Sequence, residues 1–393
     1  MWLLSTDRAE LKFFPSVQAA QFARFAILSH VWDETEQTFQ ETQALHAQCA
    51  HALTNSVYSI NPFAREKANP LNPRDLSSAK IRESCKLAEQ HGYKWIWIDA
   101  CCIDKTSSSE LSEAINSMFS YYSHADVCYA FLKDVPPDCA LDGEESEFLN
   151  SDFCNSRWFQ RGWTLQELLA PDCVIFLSSA WTVMGTKASL AQLVSEITLI
   201  SRSVLLLEEG LWDMSVARRM SWAAGRQTTR PEDEAYCLLG IFDIHMPPLY
   251  GEGRRAFQRL QEAIMQKSID STLFAWSFGT KCSALLAPSP GAFACTGLSS
   301  FSPDTLYKIY DYYMTQQDKP SRQGRPSDAT AYPTQLAGIP TFEITPYGIR
   351  ARLPVMTTPK QVTIAGINFS LLRGRQSTSR TAFLRPCRGC GCA

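Results

Sequence analysis

No stretch of eighteen apolar residues occurs anywhere in this chain, which removes the membrane-spanning helix from consideration. The start lacks a secretory signal: Met1-Trp2-Leu3-Leu4 runs at once into Asp7, Arg8 and Glu10, leaving no apolar segment for an export signal. Charge of either sign is in short excess. A formal charge of -3 and a pI near 6.1 provide no broad basic field for nucleic acid or an anionic membrane. There is no GxxxxGK followed by Ser or Thr, so a phosphate-cradling loop for ATP or GTP hydrolysis is excluded. No GxSxG elbow surrounds Ser29, and no internal repeat is present. These absences lead us to expect a cytoplasmic protein that neither spans a membrane nor binds nucleic acid.

What is present is ordinary globular material: 393 residues, 45% hydrophobic and 20% charged, long enough for two or three domains. Most of the fourteen cysteines sit inside apolar runs such as 97–103 and 126–131, where free thiols act as small hydrophobes. In a chain without an export signal they are expected to stay reduced. Cys387, Cys390 and Cys392 crowd the C-terminus like half of a zinc site, but a structural site needs a second pair or nearby histidines. We therefore expect no metal.

The first 185 residues alternate between short apolar runs and helical periodicity. Phe25 to Leu28, Tyr93 to Ile98, Val127 to Leu132 and Cys173 to Leu177 read as strands. Between them, Ile81, Cys85 and Ala88 follow a capping Ser78 and precede a terminating Gly92, and Leu111, Ile115, Met118, Phe119 and Tyr122 fall on one helix face. A helix opening at Asn155 or Ser156 is stopped by Pro171. Strands separated by helices imply a parallel α/β sheet, with ligands beyond the carboxyl ends of the strands. Ser29-His30 and Asp99 sit at such ends. Residues 186–275 read as a helical extension, with stripes at Leu190, Leu193, Val194, Ile197 and at Phe257, Leu260, Ile264. Residues 276–393 read as a β-rich region, with a hairpin near 342–353 and a flexible segment near 316–334.

Two further motifs need weighing. Gly251-Glu252-Gly253-Arg254-Arg255-Ala256 fits the bare GxGxxA pattern, yet it follows prolines rather than a strand, so dinucleotide binding there is rejected. Arg218, Arg219, Arg226 and Arg230 lie near Glu232, Asp233 and Glu234. They read as mutually paired surface charges, the alternative being a docking face.

Four segments, taken in order, carry a specific resemblance: FAILSHVWDETEQTFQ at 25–40, YKWIWIDACCIDKTSSSELSEAINSMFSYYSHADVCYAFL at 93–132, RWFQRGWTLQELLAP at 157–171 and MSWAAGRQTTRPEDEAYCLLGIFDIHMPPLYGEGRRAFQRLQEAIM at 220–265. Together they resemble the HET-domain (heterokaryon incompatibility) family of filamentous fungi over roughly residues 1–275. The family usually has glycine where this chain has Asp33, and the tail RPCRGCGCA has no counterpart in it. The resemblance implies a TIR-like, flavodoxin-like core at 1–185 and a role in vegetative incompatibility and programmed cell death. It also implies self-association through the HET core, with sensing by the C-terminal region or an upstream protein.

HET domains look like distant relatives of TIR domains, some of which cleave the nicotinamide–ribose bond of NAD with one glutamate following a tryptophan. Trp163-Thr164-Leu165-Gln166-Glu167 has that form, which makes Glu167 the candidate catalytic carboxylate and NAD a substrate rather than a bound cofactor. Nicotinamide leaves as a neutral ring, so the demand falls on stabilising an oxocarbenium-like ribose, which a nearby carboxylate can meet. Trp163 and Glu167 are four apart, so on one helix the indole would partly desolvate the carboxyl and raise its pKa. The plain alternative makes Glu167 a capping carboxylate and Trp163 core. His30 beside Ser29 either lines a nucleotide pocket or is a satisfied structural group. Asp99 either binds a ribose hydroxyl or holds its own loop.

Overall fold

The computed structural model describes residues 1–57, 71–139, 151–268, 270–276 and 285–294, together with the backbone of four strands between 341 and 365. The chain divides into two compact units, residues 1–210 with 225–256 and residues 211–224 with 257–393.

The first unit is organised by a seven-stranded mixed sheet. Its strands are β1 (Trp2–Ser5), β2 (Leu11–Phe13), β3 (Phe25–His30), β4 (Trp95–Trp97), β5 (Val127–Phe131), β6 (Val174–Leu177) and β7 (Val183–Thr186), in the order β2-β1-β4-β3-β5-β6-β7. The four strands read from the sequence form the parallel centre, β4-β3-β5-β6. The three short strands that the sequence reading missed are antiparallel and lie outside them. Strand order reverses at β3: the chain lays β4 on one side of it and then β5 on the other. All six residues of β3 are buried, Ser29 and His30 included, because a parallel strand at the sheet centre is covered on both faces. The two polar residues read as lying just past the strand are its last two members.

Local chemistry explains the crossover helices. Helix Ala79–Gln90 ends at Gly92, whose φ of +83° suits glycine, and the Gly92 and Tyr93 amides donate back to Glu89 and Ala88. Helix Ser108–Ser123 is capped by the Ser107 side chain accepting from the Glu110 amide. It buries Ile115, Met118, Tyr121 and Tyr122, and the Trp97 ring packs edge-on against both tyrosines. Burying an aromatic of this size contributes roughly 4–6 kcal/mol before entropy is charged against it. After β5 the chain forms three short helices, Asp152–Asn155, Arg157–Gln160 and Thr164–Leu169, where one continuous helix was expected. The break follows Gln160: Arg161 pairs in a parallel bridge with Gln227, and the Gly162 amide donates to the Gln227 carbonyl at 2.8 Å.

In the second unit, helix Val216–Ser221 starts at Ser215, and its first amides donate to Asp270 and Thr272. Helix Arg255–Lys267 enters this unit at Phe257, with the expected stripe of Phe257, Leu260 and Ile264 buried. Gln261, also buried, exchanges two hydrogen bonds with the Ala287 backbone. The arginine group departs from the surface reading. Arg219 is buried, with its guanidinium over the Trp212 ring. Two antiparallel strand pairs, Thr341–Thr345 with Gly348–Arg352 and Val355–Thr357 with Thr363–Ala365, are described by backbone alone. Segment 316–334 and Cys387, Cys390 and Cys392 lie outside the described residues. No described helix is long and apolar enough to cross a membrane, and no cluster of metal-ligating side chains occurs among the described residues. The described cysteines in the apolar runs, Cys101, Cys102 and Cys128 among them, are free thiols.

Candidate functional site

The carboxyl-end half of β3 meets helix Thr164–Leu169 inside the first unit. Five of the helix's six residues are buried, so Glu167 cannot turn to solvent and faces β3 instead. The Ser29 hydroxyl donates to Glu167 Oε2, and the Trp158 indole donates to Ser29 Oγ at 2.7 Å. Tyr122, fully buried beside them, donates its hydroxyl to the Leu28 carbonyl at 3.1 Å. The result is a buried polar chain on a central strand at the point where strand order reverses.

Burial dominates the electrostatics. Glu167 is 7% exposed, and desolvation pushes its carboxyl up from the ordinary value of 4.5 to about 7. The Ser29 hydrogen bond opposes this shift, Asp99 adds to it, and Arg161 and Tyr122 oppose it. At neutral pH such a group is divided between acid and anion, the condition under which a carboxyl can give or take a proton. The ionised form can stabilise a developing cation.

His30 and Asp99 form a second polar group at the ends of β3 and β4. His30 Nε2 lies 3.6 Å from Glu36 Oε1 and 3.7 Å from Asp99 Oδ1, and neither His30 Nε2 nor Asp99 Oδ1 has a hydrogen-bond partner. The other Asp99 oxygen accepts from the Trp32 indole at 2.6 Å, and Lys105 Nζ sits 4.0 Å from the centre of a Trp32 ring. Burial works to raise the Glu36 pKa, but His30, the Asp33 amide and Lys80 together hold it down to about 2. Asp33, which stands where the resemblance expects glycine, has no left-handed φ. Its carboxylate instead receives Lys133 at 2.6 Å and Lys80 at 3.2 Å, closing the loop after β3 by charge.

The candidates read from the sequence thus separate. Ser29 binds Glu167 directly, Asp99 acts on it through space, and His30 stands next to Asp99. Trp163 is elsewhere: it is the residue before the helix, half-buried, and lines a neighbouring pocket with Asp233. The indole joined to the Glu167 group is that of Trp158, which the sequence reading passed over. Both tryptophans lie within one fifteen-residue motif, and the sequence does not show which indole meets the Ser29–Glu167 pair. Tyr122 and Arg161 were missed as well, the first being hidden inside an apolar helix stripe. The GxGxxA motif is engaged by the protein itself, since Glu232 Oε1 accepts from the amides of Gly251 and Gly253.

A mixed α/β sheet with a buried carboxyl at its strand-order reversal defines the class of this unit. Residues 25–143 match the family model described as Heterokaryon incompatibility protein (HET), and the chain belongs to that family. Residues 255–370 match a second model, described as a domain of unknown function (DUF8212). Vegetative incompatibility protein HET-E-1 of Podospora anserina is 38% identical over 268 residues, which is 67% of this chain and 18% of that protein. The chain therefore spans less than a fifth of that relative's length. No solved structure matches it. Ser29, His30 and Asp99 fall inside the matched HET segment, whereas Trp158, Arg161 and Glu167 follow it.

Proposed function

We propose that this chain acts in fungal non-self recognition as a cell-death module, and that its HET unit hydrolyses the nicotinamide–ribose bond of NAD with Glu167 as the catalytic carboxylate. The observation that carries the reading is a single glutamate, buried without a bonded cation and held near pKa 7 at the sheet's strand-order reversal. In the proposed step the glycosidic C–N bond breaks and its electron pair leaves with nicotinamide. The ionised Glu167 stabilises the ribosyl cation, and water then adds, giving up one proton. Ser29 and Trp158 hold the carboxyl in place, and Asp99 and His30 belong to the ribose side of the site.

The small exposure of Glu167 favours a second reading, in which the HET unit self-associates as a scaffold without chemistry. A compatible form has assembly, triggered by an upstream sensor protein, opening the site. Replacing Glu167 by Gln or Ala and measuring both NAD loss and toxicity on expression separates these readings. Catalysis requires NAD loss to fall at least a hundredfold together with toxicity. Toxicity that persists with NAD intact leaves only the scaffold.

A further inference from the structure

Beside the Glu167 group the first unit carries a pocket of about 190 Å3. This is below the roughly 300–1,000 Å3 of a site for a whole drug-sized ligand, so it suits one group of a larger molecule. Arg157, Gln160, Arg161, Trp163, Thr228 and Thr229 line it. Neither arginine makes a direct ion pair with a carboxylate among the described residues; Arg161 acts on Asp233 and Glu167 only through space, and its Nε is buried with no hydrogen-bond partner. An orphaned donor on a cation is costly inside a protein unless something from outside supplies the acceptor.

The surroundings favour an anion. Arg226 donates from behind to the Arg161 carbonyl and to Thr164 Oγ1, both at 3.0 Å, and so adds positive charge to the same wall. Asp233, the acid among the lining residues, accepts from the Tyr250 hydroxyl at 3.0 Å; burial pushes its pKa upward while Tyr250, Trp163, Arg230 and Arg161 oppose that shift, so its charge is shared among several partners. Two guanidinium forks with the Gln160 amide and the Thr229 hydroxyl offer more donors than the two oxygens of a carboxylate can use. The three terminal oxygens of a phosphate monoester match them better. Val31, the residue after His30, also lines the pocket, and Arg161 reaches Glu167 electrostatically.

We propose that Arg157 and Arg161 bind the phosphoryl group of a nucleotide in this pocket, placing the attached sugar toward the carboxyl end of β3. The direction of the sugar rests on the reading of Glu167 given above, whereas the phosphate site does not. Calorimetric titration of the full chain with nicotinamide mononucleotide and with nicotinamide riboside, which differ by one phosphate, tests it. The mononucleotide should bind at least tenfold more tightly, the strength of a charge-assisted hydrogen bond. R157Q at the exposed arginine should erase at least threefold of that advantage, and R157Q with R161Q should erase it entirely while riboside affinity stays the same. E167Q should keep the advantage whether or not it abolishes NAD cleavage, so the two proposals fail separately. Equal affinity for the two probes, no detectable mononucleotide binding, or an advantage that survives R157Q and the double variant would each overturn the phosphate site.

Discussion

Replacing Glu167 with Gln tests the electrostatics of the site without any assumption about a substrate. The carboxyl moves from 4.5 to about 7 on folding, roughly 2.5 pH units, because the native state buries it. A folded-state pKa above the unfolded one means that the native protein holds the proton more tightly. The resulting stability is fully present below about pH 4.5 and is lost as pH rises through 7. At 1.36 kcal/mol per pH unit, the swing is about 3 kcal/mol. Glutamine has the same shape and no titration, so the E167Q protein lacks this slope. The weakened bond to Ser29 costs it about 1 kcal/mol at every pH. Urea denaturation of both proteins at pH 5, 6, 7 and 8 reads the effect, and groups that titrate alike in both proteins cancel in the comparison. E167Q should be slightly less stable at pH 5 and more stable by about 2 kcal/mol at pH 8. A difference that stays flat from pH 5 to 8 would show that Glu167 titrates as an ordinary carboxyl, and the account of the site would be wrong.

Two other substitutions probe the supports. Ser29→Ala leaves the buried Trp158 indole without its acceptor and should cost about 1–3 kcal/mol in urea denaturation. Because the Ser29 bond favours the ionised carboxyl, the Glu167 titration followed by carboxyl-carbon NMR should also move to higher pH, and an unchanged midpoint would refute that assignment. Gly240→Ala places a methyl 2.0 Å from the Phe119 Cβ, next to backbone that cannot swing away. The expected loss is about 1–3 kcal/mol or more by thermal melting, and a wild-type midpoint would mean that this approach is looser than described.

The parallel centre of the fold was legible because it is written in apolar runs. Phe25 to Leu28 and Val127 to Phe131 are continuous apolar runs buried on both faces, and their short length between helical segments separates them from buried helices. The margins were not. β1, β2 and β7 are three or four residues long, and Leu3-Leu4, both fully buried, show no alternation that would separate a strand from a loop. The Gly92 stop was readable because its backbone requires glycine. Glu167 was found through resemblance. Its partner Ser29 was noticed as a strand-end residue, but the bond between them spans 138 positions and has no sequence signature.

The misplaced indole shows where pattern reasoning fails and why. Helical spacing places Trp163 one turn before Glu167, and that spacing is kept, but Trp163 stands at the very start of the helix and its side chain lines the pocket with Asp233 instead. Just before Trp163, a Cβ on Gly162 would stand 2.5 Å from the Thr228 methyl, so the backbone there approaches residues 227–228 more closely than a side chain would allow without Thr228 giving way. That close approach ends one helix at Gln160 and starts the next at Thr164. It also lays Gln160, Arg161 and Trp163 against Gln227 and Thr228, building the arginine pocket, while Trp158 and Glu167, on either side of the break, face β3. One glycine thus divides a single motif between two adjoining sites, a buried carboxyl and a cationic pocket, joined through Arg161. A ligand that spans a glycosidic bond and a phosphate is the kind of molecule such a division fits.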